Sequence, residues 1–205
     1  MKYYSTKQEV SHTSFQGAVI KGLPDDNGLF MPAHIPKLDV SFLDNLHNET
    51  LSNIGFTVAK PFVGSDVSEE KLYSIIEETL NFPLPVVEVH DNLFSLELFH
   101  GPTCAFKDVG ARFLARCLSL FSNEKVTVLV ATSGDTGSAV ANGFLDVQNV
   151  DVVILYPKGK VSHLQEQQLT TLGKNITALE VEGTFDDCQR MVKAAFLDKE
   201  LNRKM

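Results

Sequence analysis

Lys107 is the side chain best placed for covalent chemistry, because it follows an aromatic-rich turn and opens an amphipathic run in SLELFHGPTCAFKDVGARFLARCL, residues 95–118. A lysine amine is a nucleophile in its neutral form, and an apolar pocket favours that form. The neighbours that could line such a pocket are Phe99, Cys104, Ala105 and Phe106. A lysine in this setting can form a Schiff base with an aldehyde cofactor. The alternative is a solvated lysine beside Asp108 in the first turn of a helix.

The sequence ATSGDTGSA, residues 131–139, predicts an anion-binding loop. Its small residues let a ligand approach the backbone, and the N–H groups at the start of the following helix favour a carboxylate or a phosphate. The spacing matches neither G-x-G-x-x-G nor a Walker A loop, which argues against a dinucleotide or a nucleoside triphosphate. The alternative is a tight turn in which Ser133 or Asp135 only caps the helix.

Short apolar runs and amphipathic runs alternate after Lys107, and this alternation predicts an α/β fold. The predicted strands are 126–131, 151–156 and 176–182, and the predicted helices are 136–146, 162–173 and 185–198. We expect the first strand to be buried, and Ser162 to open its helix with a capping box. Such alternation implies an open, mostly parallel sheet with flanking helices. Ligands of these sheets bind beyond the carboxyl ends of the strands, where the loop 131–139 lies.

The residues before Lys107 are less regular. The first 65 residues predict irregular structure, with a surface loop at 22–38 that is rich in proline and turn residues. From Asp66 onward the spacing predicts a helix that Pro83 and Pro85 end. The apolar face of this helix is Leu72, Ile75, Ile76 and Leu80. Residues 86–99 predict two extended runs around an Asp-Asn turn.

Composition excludes several classes of function. A formal net charge of −8 disfavours nucleic acid or an anionic membrane as a partner, and no apolar run is long enough for a membrane helix. Three scattered cysteines favour a reducing compartment, so we expect a cytoplasmic protein. The six histidines show no paired ligand spacing, so no metal site is expected, and no serine lies in a G-x-S-x-G elbow.

Five separated segments, in order, resemble the threonine synthases, which are pyridoxal-phosphate enzymes of the fold-type II, tryptophan-synthase-β-like class. The segments are SFQGAVIKGLPDDNGLFMP (14–32), LFHGPTCAFKDVGARF (98–113), VATSGDTGSAVA (130–141), VVILYPKGKVSHLQEQQLTTLG (152–173) and EVEGTFDDCQ (180–189). The resemblance therefore runs through nearly the whole chain. It implies a β,γ-replacement in which O-phospho-L-homoserine and water give L-threonine and phosphate.

The resemblance also assigns roles to individual residues. Lys107 matches the lysine that carries pyridoxal 5'-phosphate and moves protons on the substrate, and Phe106 and Asp135 are assigned to the cofactor as well. Much of the wider class has asparagine at the position of Asp135, near the cofactor's ring hydroxyl. The residues assigned to the substrate, chiefly to its α-carboxylate, are Thr132, Ser133, Gly134, Thr136 and Gly137, with backbone N–H groups from Gly134 to Gly137. Lys160, with Lys158, is a candidate for the substrate phosphate, and a solvated turn is the alternative.

The chain is shorter than the threonine synthases that it resembles. We expect an irregular and helical N-terminal segment at 1–85, the start of the large cofactor domain at 86–110, which carries the Schiff-base lysine, and a small α/β domain at 111–205, with the C-terminal part of the large domain absent. No counterpart is found for the glycine-rich phosphate loop, the hydroxyl facing the pyridine nitrogen or the Asn and Arg residues for the substrate phosphate. We therefore expect a truncated chain of little or no activity that exposes an apolar surface or self-associates.

Two other functions compete with this interpretation. One is another fold-type II activity, such as a serine or threonine dehydratase or a cysteine synthase. The GPTCAFKD context and the aspartate in SGDTG favour threonine synthase over both. The other is a non-catalytic module that has kept the carboxylate loop and lost the cofactor; the retained Lys107 argues against it, and the missing phosphate loop argues for it.

Overall fold

The structure, a computed structural model, describes residues 1–202, and the chain divides into two units between Asn81 and Phe82. The predicted first boundary was at residue 85, close to this division. The predicted boundary at 110 falls inside a helix, Lys107–Phe121. The last three residues of the predicted small domain, 203–205, lie outside the described residues. The predicted division into domains stays a prediction.

The first unit is more helical than the sequence predicted. Its elements are β1 (Tyr3–Ser5), α1 (Phe15–Lys21), β2 (Phe30–Pro32), α2 (Val40–Asp44), α3 (Leu51–Val63) and α4 (Glu69–Thr79). The prediction of irregular structure was wrong for α3, which Thr50 caps at its first turn. Gly55 and Pro61, both poor helix formers, hid this helix in the sequence. The segment 22–38 is a loop as predicted, apart from β2, which pairs with β1.

The core of the first unit forms around α4. The predicted face of this helix is confirmed: Leu72, Ile75 and Ile76 are buried, and Leu80, the C-cap residue, is half-buried. Ser68 caps the helix by accepting a hydrogen bond from the backbone N–H of Lys71.

The second unit contains the predicted α/β alternation. Its elements are β3 (Val86–His90), β4 (Leu93–Leu96), α5 (Lys107–Phe121), β5 (Val126–Ala131), α6 (Asp135–Phe144), β6 (Val150–Pro157), α7 (His163–Thr170), β7 (Ile176–Val181), α8 (Phe185–Leu197) and α9 (Lys199–Asn202). Strands β5, β6 and β7 form a parallel sheet in that order, which confirms the α/β class. Strands β3 and β4 form the predicted antiparallel pair.

The central strand of the parallel sheet is β6, and it carries most of the sheet's buried side chains. Val152 and Ile154 have no exposed surface, and α6 and α8 pack against this strand. The prediction that β5 is buried was wrong. Its residues are half-buried along its whole length, because it pairs with β6 on one side and has no strand on its other side within residues 1–202.

Helices α5 and α6 pack closely, and Gly143 makes the approach possible. A Cβ atom at Gly143 would lie 3.1 Å from the backbone of Ala111 and Arg112 in α5. Arg116 of α5 also donates a hydrogen bond from Nη1 to the carbonyl oxygen of Gly143, at 3.2 Å. This contact fixes the spacing between the helix that begins at Lys107 and the helix that follows the loop 131–139.

The β3–β4 hairpin exposes apolar side chains. The sequence predicted an exposed apolar surface without giving its place. Val86, Val89 and Phe94 are each more than half exposed. Among residues 1–202, none of the helices has both the length and the hydropathy that crossing a bilayer requires.

The reactivity of the three cysteines tests the packing of the second unit. Cys117 and Cys188 have no exposed surface, and burial raises the pKa of Cys117 to about 12 and also raises the pKa of Cys188. Cys104 is exposed. We expect a disulfide reagent at pH 8 to modify one thiol per folded chain and three after denaturation, because a buried neutral thiol is unreactive. Cys104→Ser should remove the fast reaction, and more than one fast thiol would contradict the packing.

Candidate active site

Helix α5 begins at Lys107, and a buried carboxylate fixes the turn that leads into it. Asp108 is buried, and Thr103 donates to it twice: the backbone N–H of Thr103 to Oδ2 at 2.9 Å, and its hydroxyl to Oδ1 at 2.5 Å. Both oxygens of the carboxylate therefore hold the turn. A buried carboxylate is stable only when it is hydrogen-bonded in this way.

The amine of Lys107 is not paired with Asp108. Within residues 1–202, Lys107 forms no ion pair, and its Nζ lies 4.4 Å from the centroid of the Phe106 ring. A cation–π contact of this kind contributes about 0.5–1 kcal/mol at an exposed site. The half-buried Lys107 is therefore held mainly by an aromatic ring, and its nitrogen lone pair or its protons remain available to a ligand.

A cavity of about 430 Å³ lies against the turn before Lys107. Its lining residues are Leu96, Leu98, Phe99, Cys104, Ala105, Phe106 and Asp135. All four neighbours of Lys107 that were predicted to line an apolar pocket line this cavity, although Lys107 itself does not. Among these lining residues Asp135 supplies the only charged group, and the rest of the wall is mainly apolar. The structure therefore places the turn of Lys107 and the loop 131–139 on one cavity.

The hydroxyl of Thr132 organises the loop from inside. Thr132 is buried, and its Oγ1 accepts hydrogen bonds from the N–H groups of Gly134, at 3.0 Å, and Gly137, at 2.8 Å. The same hydroxyl donates to the carbonyl oxygen of Gly134 at 3.0 Å. Thr132 therefore shapes the loop, and the N–H groups of Gly134 and Gly137 are engaged within it. Direct contact of these three groups with a ligand stays a prediction that this geometry does not favour.

Four groups of the loop remain available to an anion. The N–H groups of Asp135 and Thr136, in the first turn of α6, have no hydrogen-bond acceptor within residues 1–202. Ser133 and Thr136 are exposed, and their hydroxyls have no partner in the same part of the chain. An N–H pair with two hydroxyls beside it suits a carboxylate.

Gln165 belongs to this site, although its functional contact has no signal in the sequence. The predicted capping box is confirmed, with Ser162 and Gln165 bonded to each other through side chain and backbone. Gln165 has a second contact that no spacing rule predicts: its Nε2 donates to Oδ1 of Asp135 at 2.7 Å. A sequence offers no signal for a bond between residues 30 positions apart in different loops.

The two lysines of the turn after β6 differ in their partners. Lys158 pairs with Glu182 at 2.5 Å and lies 3.8 Å from Glu180, and these carboxylates raise its pKa. Lys160 is exposed and forms no ion pair within residues 1–202. Lys160 is therefore the lysine of this turn that is available to an external anion.

In the described residues, no cluster of three or more His, Cys, Asp or Glu side chains is arranged for a metal ion.

Two protein families match this chain, and together they cover nearly all of it. The family described as "Pyridoxal-phosphate dependent enzyme" matches residues 80–203, and "Threonine synthase N terminus" matches residues 2–80. The chain belongs to the pyridoxal-phosphate dependent enzyme family. This result confirms the resemblance that the sequence motifs indicated.

Relatives and solved structures of this family extend the comparison. The chain is 45% identical to a threonine synthase of Serratia marcescens, over 98% of this chain and 47% of the relative. A crystal structure of threonine synthase from Escherichia coli matches with a TM-score of 0.91 and 42% identity, over 100% of this chain and 48% of that one. A structure titled as PLP-bound threonine synthase from Brucella melitensis matches with a TM-score of 0.91 and 38% identity, over 98% of this chain and 45% of that one. The chain spans about half the length of the relatives it matches.

The hydroxyl of Thr132 can be tested by substitution. We expect Thr132→Val to lower the free energy of unfolding by about 2 kcal/mol or more, because the buried N–H groups of Gly134 and Gly137 lose their acceptor. Thr132→Ser keeps the hydroxyl and should cost less than about 1 kcal/mol, mainly for the lost methyl group. Urea unfolding of the two variants measures the difference. Equal losses in both variants would show that the methyl group, and not the hydroxyl, holds the loop.

Proposed function

We propose that this chain supplies the cofactor lysine and the carboxylate-binding loop of a threonine synthase, the enzyme that converts O-phospho-L-homoserine and water to L-threonine and phosphate. The observation that carries the proposal is the cavity that joins the turn of Lys107, the exposed ring of Phe106 and the carboxylate of Asp135. The family match and the threonine synthases among the relatives support it.

The residues around the cavity fit the ring and aldehyde end of pyridoxal phosphate. Lys107 supplies an amine without a carboxylate partner, Phe106 an aromatic surface that is 61% exposed, and Asp135 a carboxylate on the same cavity. When bound, this cofactor supplies an electron sink for charge that develops on the substrate. Lys107 would hold it covalently, and once displaced by the substrate amine, its Nζ would act as the base and acid that moves protons between the substrate carbons.

The loop 131–139 would bind the substrate's α-carboxylate. The available groups are the N–H groups of Asp135 and Thr136 and the hydroxyls of Ser133 and Thr136. Fixing the carboxylate orients the bond to the α-hydrogen relative to Lys107, which is the alignment that proton removal requires. Thr132 contributes from inside by holding the loop in this shape.

Lys160 would attract the substrate phosphate, because it is the lysine of its turn without an ion pair. The net charge of −8 argues against nucleic acid as a partner. The exposed apolar hairpin β3–β4 is the surface through which self-association would occur. A cytoplasmic location, and little or no activity for these 205 residues alone, stay predictions.

Visible spectroscopy tests the role of Lys107. We expect the chain mixed with pyridoxal phosphate to show a Schiff-base absorption band. Lys107→Ala should lose the band because the amine is gone, and Lys107→Arg, which keeps the positive charge, should lose it too. A band that survives in both variants, or no band in the unmodified chain, would overturn the proposal.

Substrate addition tests the choice of substrate and the role of Lys160. O-phospho-L-homoserine should change the cofactor spectrum at a lower concentration than L-homoserine does, because only the former carries the phosphate. Lys160→Gln should reduce this preference several-fold, while Lys158→Gln, which removes a lysine already paired with Glu182, should leave it nearly unchanged. A cofactor band that responds equally to both compounds would contradict threonine synthase and favour another fold-type II activity.

A further inference from the structure

Gln165 joins two parts of the second unit that are distant in sequence. Its Oε1 accepts hydrogen bonds from the backbone N–H and the hydroxyl of Ser162, both at 3.0 Å, at the start of α7. Its Nε2 donates to Oδ1 of Asp135 at 2.7 Å, at the start of α6. One half-buried carboxamide thus connects the cap of one helix to a carboxylate on the cavity wall.

The orientation of this carboxamide is determined by its partners. The backbone N–H of Ser162 can only donate, so the atom that faces it must be the oxygen of Gln165. The nitrogen therefore faces Asp135, and Oδ1 of Asp135 is the acceptor. In residues 1–202 the side chain of Asp135 has no other hydrogen bond, so Oδ2 is the oxygen left for a ligand.

Gly134 makes room for this contact. Its φ of +143° lies in a region that side chains disfavour, and a Cβ atom there would lie 2.3 Å from Nε2 of Gln165. The carboxamide therefore rests on the backbone of the loop itself. A side chain at position 134 would displace the group that holds Asp135.

We propose that Gln165 is a positioning residue for Asp135. Gln165 holds one oxygen of the Asp135 carboxylate so that the other oxygen faces the ring of the cofactor. This inference rests on the proposed function for the identity of the cofactor, and it rests on the structure alone for the bond to Asp135. The bond from Gln165 also explains how an aspartate can occupy a position where much of the wider class has asparagine. Held by a donor, Asp135 serves as an acceptor with a defined direction.

The experiment is a double-mutant cycle of Gln165→Glu and Asp135→Asn at low ionic strength. Glutamate at position 165 keeps the capping box, since either Gln or Glu serves at that position, but it removes the donor and places a second carboxylate beside Asp135. In the double variant, the amide that Asp135→Asn introduces can donate to the carboxylate that Gln165→Glu introduces, so a hydrogen bond forms again. Gln167→Glu is the matched control, because it makes the same change at an exposed position of α7.

Two quantities are measured for each variant: the midpoint of thermal unfolding without cofactor, and the dissociation constant for pyridoxal phosphate from the visible band. We expect Gln165→Glu to lower the midpoint by about 2 °C or more and to weaken cofactor binding about tenfold relative to the Gln167→Glu control. On the Asp135→Asn background the same change should have little or no effect on either quantity.

Each outcome separates the two proposals. Losses from Gln165→Glu that are equal on both backgrounds, or no greater than those of Gln167→Glu, would overturn the inference. The effect of Gln165→Glu on the unfolding midpoint could depend on Asp135 while its effect on cofactor affinity does not. That result would show that the contact is structural only, and it would also overturn the positioning role. If the unmodified chain shows no cofactor band, the proposed function fails, and the unfolding cycle alone then decides whether Gln165 holds Asp135.

Discussion

The site depends on the close packing of α5 against α6 at Gly143. This contact sets the distance between the helix that begins at Lys107 and the helix that follows the loop 131–139. Two segments that lie far apart in sequence thereby border one cavity, through Phe106 and Asp135. A Cβ atom at position 143 would lie 3.1 Å from the backbone of α5, so even alanine would push the two helices slightly apart, because a backbone cannot rotate away as a side chain can.

The hydrogen bonds around the cavity divide its polar groups into two sets. Asp108 and Thr132 are buried, and each is fully engaged with its own turn or loop. The amine of Lys107 and the hydroxyls of Ser133 and Thr136 have no such partners within residues 1–202. The first set makes the backbone rigid, and the second set is what a ligand meets. This division suits a site that must hold a small molecule in one orientation.

The sequence predicted the part of the structure that depends on local patterns. The strands and helices after Lys107, the capping box at Ser162 and the apolar face of α4 followed from periodicity and end signals. Helix α3 was missed because Gly55 and Pro61 interrupt its pattern, and the exposure of β5 depends on its neighbours in the sheet. The resemblance to the threonine synthases predicted that Lys107 and Asp135 lie near one ligand. It could not show that Thr132 faces inward or that Gln165 reaches Asp135, because both facts depend on three-dimensional packing.

The proposed function depends on one bond, the covalent attachment of pyridoxal phosphate to Lys107. The most direct measurement is borohydride reduction of the chain with the cofactor, followed by digestion and mass spectrometry of the labelled peptides. The structure predicts one stoichiometric label, on the peptide that contains Lys107, because this lysine is the amine beside the aromatic cavity. A label spread over exposed lysines, or concentrated on a lysine other than Lys107, would contradict the account.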